Sequence, residues 1–131
     1  MNLVLVSDNQ SLNHEIETII RDGFSGDLTI VPGDSLLECG ELPSYDFLIV
    51  ERNTWQEHFS MYKYFGLIDS FENTSLLCVS RGRKANFLKG RLGKKDVFVS
   101  LPFGQDDFMK GLEECKTYQE QLRSIAAASI G

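Results

Sequence analysis

Short apolar runs alternate along this chain with segments in which apolar side chains recur every three or four positions. The runs predict buried strands, because a strand inside a parallel sheet is apolar on both of its faces. The spaced segments predict amphipathic helices. Five strands are predicted in this way, with the sequences NLVLVS (2–7), DLTIVP (27–32), DFLIV (46–50), SLLCVS (75–80) and DVFVSLP (96–102).

Helical segments separate these strands. The first helix follows Asn9 or Ser11, either of which can cap it, and a short, weak helix is predicted around 36–40. A longer one covers 55–68, a basic stretch covers 85–92, and a long final helix begins at Asp106. Five strands alternating with five helices predict an α/β fold with a parallel sheet in the order 2-1-3-4-5, which is the flavodoxin-like, doubly wound arrangement.

Length and composition narrow the class of protein. The 131 residues suit one domain, and 42% hydrophobic with 24% charged residues is ordinary for a globular protein. No apolar run approaches the roughly 20 residues that a membrane helix needs. The first residues, MNLVLVSD, lack the basic segment of a signal peptide and fit a strand. We therefore expect a cytoplasmic protein with no membrane contact.

Charge is distributed unevenly along the chain. The net charge of −6 argues against general nucleic-acid binding. Yet seven of the 13 basic residues lie between positions 81 and 95, with no acid among them. This basic run could be a partner surface, a nucleic-acid contact or a solvated helix. Phe87 is its one aromatic residue, so stacking on single-stranded nucleic acid has little support.

Cysteines and histidines give no strong sign of a metal site. Cys39, Cys78 and Cys115 are far apart and form no C-x-x-C pair, so neither a disulfide framework nor a zinc site is expected. Neither His14 nor His58 flanks a cysteine or acid cluster at ligand spacing. We expect both histidines to be surface residues and not ligands.

Polar residues stand where the first, third and fourth predicted strands end, and Leu-Pro stands where the fifth ends. In a doubly wound sheet the carboxyl ends of the strands meet at one edge, and the functional crevice lies there. The residues at these ends are Ser7 and Asp8 after the first strand, Glu51 after the third, Ser80 after the fourth, and Leu101 and Pro102 after the fifth.

In this order the strand ends resemble the receiver domain of bacterial response regulators, over residues 1–123. LVLVSD stands in the place of that family's acid pair and DFLIVE in the place of its phosphoacceptor strand. LLCVSR corresponds to the strand that ends in a hydroxyl residue, and VFVSLPF to the strand that ends in Lys-Pro. The resemblance also puts Phe98 at the aromatic switch position.

Three of the matched positions depart from the family pattern. Ser7 replaces the first acid of the pair, Glu51 replaces the phosphoacceptor aspartate, and Leu101 replaces the lysine. Mg²⁺ requires hard oxygen ligands in near-octahedral geometry, so this set predicts at most a weak Mg²⁺ site through Asp8 and Glu51. The longer Glu51 side chain also misplaces the attacking oxygen, and the cation that pairs with phosphoryl oxygens is missing.

We therefore predict a pseudo-receiver with no catalytic residues and no resident cofactor. In a purely structural reading, the acid that ends the third strand is solvated, Ser80 and Pro102 shape turns, and Phe98 belongs to the core. The chain would then be a flavodoxin-like domain without the receiver's role.

The resemblance further implies a partner surface formed by the fourth helix, the fifth strand and the last helix. Through it we expect contact with a protein partner, an effector domain or a second copy of the chain. Residues 124–131 would end the last helix or lead to a downstream domain, through which alone nucleic acid would be contacted. The residues assigned to this surface are Arg81, Arg83, Lys84, Lys89, Arg91, Lys94, Lys95, Phe108 and Leu112.

Two functions from different classes remain open at this point. The first is a regulatory module that acts by protein–protein contact, as the amino-terminal part of a transcriptional regulator or signalling protein. The second is a working receiver in a two-component phosphorelay, with Glu51 as an atypical acceptor, which Asp8 and Ser80 favour. A nucleotide-binding domain ranks last, because SDNQS after the first strand is not a G-x-G-x-x-G loop.

Overall fold

A parallel sheet of five strands forms the centre of the structure, a computed structural model that describes residues 2–23, 26–35, 45–71, 74–81, 88–91, 95–101 and 104–130. The strand order is β2-β1-β3-β4-β5, and every neighbouring pair is parallel. The predicted fold class and strand order are confirmed. The strands are β1 (Asn2–Val6), β2 (Asp27–Val31), β3 (Phe47–Glu51), β4 (Leu76–Arg81) and β5 (Val97–Leu101).

Four helices are present in the described residues, where five were predicted. The predicted segment 36–40 lies outside the described residues, and within 85–92 only 88–91 is described, where Lys89 and Gly90 form a turn. The predicted segment 55–68 is two helices, because Gly66 between them has a φ of 75°, which glycine adopts without strain. The helices are α1 (Gln10–Gly23), α2 (Arg52–Tyr64), α3 (Leu67–Ser70) and α4 (Gln105–Ile130).

Two apolar layers fill the space between the sheet and the helices. Alternate residues of β4 point to opposite faces, so Leu77 contributes to one layer and Cys78 to the other. The first layer joins the sheet to α1 and α4, and the second joins it to α2. Both faces of the central strands are therefore buried, as their unbroken apolar runs predict.

The ends of the helices agree with the cap prediction for α1. Asn9 caps it, since its Oδ1 accepts a hydrogen bond from the backbone N–H of Leu12 at 3.1 Å. At the other end of the chain, the 26 residues of α4 extend over about 39 Å. No helix in the described part of the chain combines the length and the apolar character needed to cross a membrane.

Candidate functional site

The carboxyl edge of the sheet brings together most of the predicted strand-end residues. Val6 is in register with Val50 in the neighbouring strand, so Ser7 follows at the position beside Glu51. The turn after β2 lies on the other side of β1 and contributes Gly33. The edge is therefore assembled from β2, β1 and β3, and α2 begins directly at Glu51.

Glu51 caps α2 with its own side chain. Its Oε2 accepts hydrogen bonds from the backbone N–H groups of Asn53 and Thr54, the latter at 3.3 Å. Its Oε1 accepts a longer bond, 3.4 Å, from the hydroxyl of Thr54. Only 4% of the residue is exposed. The carboxylate is therefore turned back onto the first turn of its own helix and does not extend outward from the sheet edge.

Burial is the largest influence on the pKa of Glu51. Desolvation raises the pKa of its carboxyl group above the ordinary value, and the negative charge of Asp8 acts in the same direction. The hydrogen bonds from Asn53 and Thr54 oppose the shift without cancelling it. The two predicted acids are neighbours in the structure, because both bond the hydroxyl of Thr54, Asp8 through its backbone N–H and Glu51 through Oε1.

Asp8 is held differently. Its Oδ1 accepts a hydrogen bond from the backbone N–H of Gly33 at 2.8 Å, and its Oδ2 lies 2.9 Å from Nε2 of His58. Its own backbone N–H donates to the hydroxyl of Thr54 at 2.9 Å. Partial burial acts to raise the pKa of Asp8, but the bond from Gly33 and the pairing with His58 outweigh it and lower that pKa. Asp8 is therefore the more acidic of the two carboxyl groups at this edge, and 40% of its side chain is exposed.

His58 belongs to this group, although it was expected to be only a surface residue. Thr54, His58 and Tyr62 follow one another at intervals of four on α2, so they share the helix face that meets Asp8 and Gly33. Tyr62 donates a hydrogen bond from its hydroxyl to the carbonyl of Gly33 at 2.8 Å, and its ring lies 5.9 Å from that of His58. That four-residue spacing, directly after the strand-end acid, is the signal that could have identified His58.

Gly33 is the residue that allows this close approach. A Cβ atom there would lie 2.5 Å from Cδ2 of His58 and 2.6 Å from Cγ2 of Thr54. Non-bonded carbon atoms do not approach this closely, so a side chain at position 33 would displace the imidazole ring.

The remaining pocket residues have structural contacts or lie outside the described part. Ser7 is buried, and its hydroxyl accepts a hydrogen bond from the backbone N–H of Asn9 at 3.1 Å. Ser80 is buried near the end of β4, and the backbone of Leu101 ends β5 beside Arg81. Pro102 lies outside the described residues. Phe98, for which the resemblance predicts a switch role, is partly buried and packs against the layer under α2.

The predicted partner surface is only partly a surface. Arg91 is 4% exposed, Phe108 is fully buried and Leu112 is 3% exposed. The prediction that these three residues lie on the surface is therefore wrong, and they belong to the interior. Arg91 is buried because it pairs with Asp96, and the other two because their face of α4 packs on the sheet.

The other basic residues of that surface divide into three groups. Arg81 donates hydrogen bonds to Ser11 and Glu15 of α1, and Lys95 bonds the side chain of Gln121. Lys89 is exposed. Arg83, Lys84 and Lys94 lie outside the described residues. The seven basic residues therefore do not act as one cluster of free charges in the part that can be described.

The residues that could hold a metal ion differ from the predicted pair, Asp8 and Glu51. Among the described residues, Asp8, Glu57 and His58 each offer a ligand atom, and these atoms lie within 4.8 Å of one another. Glu51, predicted as a ligand with Asp8, is bound to the start of α2 instead.

Comparison of the sequence with protein-family models finds no matching family, and comparison with curated proteins finds no match. What the structure establishes is a five-stranded parallel sheet with flanking helices, compatible with the flavodoxin-like fold. The likeness to receivers stays a resemblance of strand-end residues in that fold.

Proposed function

We propose that this protein is a non-catalytic, receiver-like regulatory module that acts by protein–protein contact and takes no part in phosphoryl transfer. The observation that carries this proposal is the position of Glu51. The residue that replaces the receiver's acceptor is 4% exposed and uses its carboxylate to cap α2.

The contacts of Glu51 oppose a role as phosphoacceptor. A nucleophilic carboxylate needs an oxygen that can approach the phosphorus atom in line, with a misplacement well below about 1 Å. Turning Glu51 outward would leave the N–H groups of Asn53 and Thr54 without their acceptor, at a cost of about 1 kcal/mol for the lost cap. A phosphoryl group attached to the capping oxygen would occupy the space of the helix end itself.

The electrostatics of the edge support the same conclusion. The position of the family's first acid holds the buried Ser7, which supplies no carboxylate to a metal ion. Arg81, the cation at the end of β4, is 2.7 Å from Glu15 on α1 and so is already paired. A transferred phosphoryl group needs cations positioned around its oxygens before the reaction begins.

A contact surface fits the outer side of β5 and α4. β5 is the last strand of the sheet, and no strand among the described residues pairs with its outer edge. A groove of about 320 Å³ follows this edge, and its lining includes Phe98, Ser100, Asp107, Lys110 and Glu114. Both signs of charge occur beside partly exposed apolar surface, which is the composition expected at the rim of a protein interface.

Phosphoryl transfer can be tested directly. The protein is incubated with acetyl phosphate and Mg²⁺ and its intact mass is measured, with an active receiver of known reactivity as the control for the reagent. We expect no added phosphoryl group. A stable mass increase that disappears in Glu51→Gln would overturn the proposal and establish Glu51 as an acceptor.

A second measurement does not require the phosphorylated protein to be long-lived. Beryllofluoride mimics an acyl phosphate without covalent turnover, so amide spectra with beryllofluoride and Mg²⁺ should leave the signals of Asp8, Glu51 and Thr54 unchanged. The matched variant combines Ser7→Asp, Glu51→Asp and Leu101→Lys, which restores the family's residues. Amide shifts in this variant alone would place the cause of inactivity in those three positions.

A further inference from the structure

We propose that Asp8, Glu57 and His58 form a binding site for a divalent transition-metal ion. The three residues are called the α2 metal site below. It shares only Asp8 with the Mg²⁺ pocket of receivers, and it takes its other two ligands from α2. The inference does not depend on whether the protein accepts a phosphoryl group.

The distances between the ligand atoms suit a common ion. Two ligands bound at about 2.1 Å from one metal ion lie about 3.0 to 3.5 Å apart. Oδ2 of Asp8 and Nε2 of His58 are already 2.9 Å apart. The third atom, from Glu57, lies within 4.8 Å of the other two. Glu57 is exposed, so rotation of its side chain can bring its oxygen the remaining distance, which is at most about 2 Å.

Two of the ligands are oriented before an ion arrives. The N–H of Gly33 holds one oxygen of Asp8 and leaves the other directed at His58. The imidazole ring is confined between Gly33 and Tyr62, whose hydroxyl is itself bonded to the carbonyl of Gly33. Partners that fix ligand orientation in this way typically strengthen metal binding by roughly 10- to 100-fold.

The donor atoms select the class of ion. Two carboxylates alone would favour Mg²⁺ or Ca²⁺, but an imidazole nitrogen favours Zn²⁺, Ni²⁺, Co²⁺ or Cu²⁺. Three protein ligands leave one or more coordination positions for water or for a group from another molecule. The exposed fractions of the His58 and Asp8 side chains, 22% and 40%, give an ion access from solvent.

A bound ion would join parts of the chain that are distant in sequence. Asp8 follows β1, and Glu57 and His58 lie in the second turn of α2. His58 is 50 residues away from Asp8 in the sequence. An ion at this site therefore favours conformations in which α2 is held against the end of β1. A ligand that prefers one of two conformations shifts their populations without any covalent change.

Metal binding is tested by titration of the reduced, chelator-treated protein. Zn²⁺ alone and Mg²⁺ alone are added in separate experiments, followed by calorimetry and amide spectra. We expect saturable, stoichiometric binding of Zn²⁺ with shifts at Asp8, Gly33 and His58, and no competition from millimolar Mg²⁺. Absence of saturable Zn²⁺ binding, or displacement by Mg²⁺ at similar concentration, overturns the proposal.

Variants decide whether these residues are the ligands. His58→Gln and Glu57→Gln should each weaken Zn²⁺ binding by at least about tenfold. The matched controls are His14→Gln, at an exposed histidine on α1, and Cys39→Ser, which removes a thiol able to bind zinc; both should bind as the original protein does. Should circular dichroism show that His58→Gln is unfolded, the exposed Glu57→Gln decides. Binding that survives both ligand variants, or that is lost in either control, overturns the assignment.

Discussion

Arg91 binds Asp96 through two hydrogen bonds, Nε to Oδ2 at 2.9 Å and Nη2 to Oδ1 at 2.8 Å, with only 1% and 2% of the two side chains exposed. Arg91 also donates to the carbonyls of Phe71 and Thr74, and Asp96 accepts from the N–H of Leu76. This ion pair therefore joins the turn at 88–91 to the residues that begin β4 and precede β5.

Removal of Arg91 should strongly destabilise the protein. Arg91→Met keeps most of the apolar volume but leaves Asp96 buried and unpaired, at an expected cost of roughly 3–5 kcal/mol. Unfolding in urea can be followed by the fluorescence of the single tryptophan, Trp55, whose Nε1 donates to the carbonyl of Lys89. The control is Lys89→Met, an exposed position held through its backbone, which should change stability by less than about 0.5 kcal/mol. Equal effects of the two variants would show that the buried pair contributes little.

Arg91 also shows why the partner surface was predicted only in part. Seven basic residues in a row of 15 positions look like one charged face, since the sequence does not say which of them meets an acid. Asp96 stands just beyond the run and pairs with Arg91, while Glu15, 66 positions away from Arg81, pairs with Arg81. Which acid pairs with which basic residue depends on the folded chain and not on the local sequence pattern.

The strands, in contrast, were predictable because their signal is local. A run such as FLIV is apolar at every position, and only a strand buried on both faces uses all of those side chains. The predicted strand positions agree with the structure to within one or two residues. The directions of the side chains at the carboxyl edge of the sheet were harder to predict. Nothing in DFLIVE indicates that Glu51 turns back to cap α2, or that His58 comes within 2.9 Å of Asp8.

Gly33 should be intolerant of a side chain. Gly33→Ala places a Cβ atom 2.5 Å from the ring of His58, and overpacking of this kind costs roughly 1–3 kcal/mol. Part of that cost should disappear in a His58→Ala background, because the ring is then absent. The measurement is a double-mutant cycle by urea unfolding. An identical cost of Gly33→Ala in both backgrounds would show that the ring is not the obstacle.

Glu51 should make stability depend on pH in a defined direction. A carboxyl group whose pKa is higher in the folded protein binds more protons when folded. Its contribution is fully present below the ordinary pKa of 4.5 and is lost as pH rises through the raised native pKa. Glu51→Gln cannot titrate, so its stability relative to the original protein should increase over that range, by about 1.4 kcal/mol per unit of pKa shift.

Two comparisons isolate this effect. Glu113→Gln removes an exposed carboxyl group on α4 and is the matched control for the substitution itself. Asp8 acts in the opposite sense and at lower pH, because its lowered pKa gives stability above the ordinary value of 3.8 that is lost as pH falls through the native pKa. Urea unfolding at closely spaced pH values separates the two ranges. A stability difference between Glu51→Gln and the original protein that stays constant with pH contradicts the raised pKa.

The proposed contact surface, the outer side of β5 and α4, is also the surface through which we expect the protein to self-associate. The face carries Lys110 between Asp107 and Glu114, and Ile125, 59% exposed, lies further along the same helix. In a two-fold dimer each patch meets its own copy, so a surface with both signs of charge can complement itself. Such rim pairs contribute mainly orientation and association rate, and apolar contacts supply most of the affinity.

We therefore predict a homodimer of weak to moderate affinity that Lys110→Glu and Ile125→Glu both weaken, the second more strongly because it places a charge in the apolar part of the contact. Among the described residues, the other exposed large apolar side chains, Met61, Tyr64 and Phe65, lie at the end of α2 and provide the control. Tyr64→Glu should leave the dimer intact. Sedimentation at several protein concentrations measures all three variants. A strict monomer at high concentration excludes the dimer. A dimer that only Tyr64→Glu disrupts places the contact at the end of α2, because a substitution weakens association only where the side chain lies in the contact.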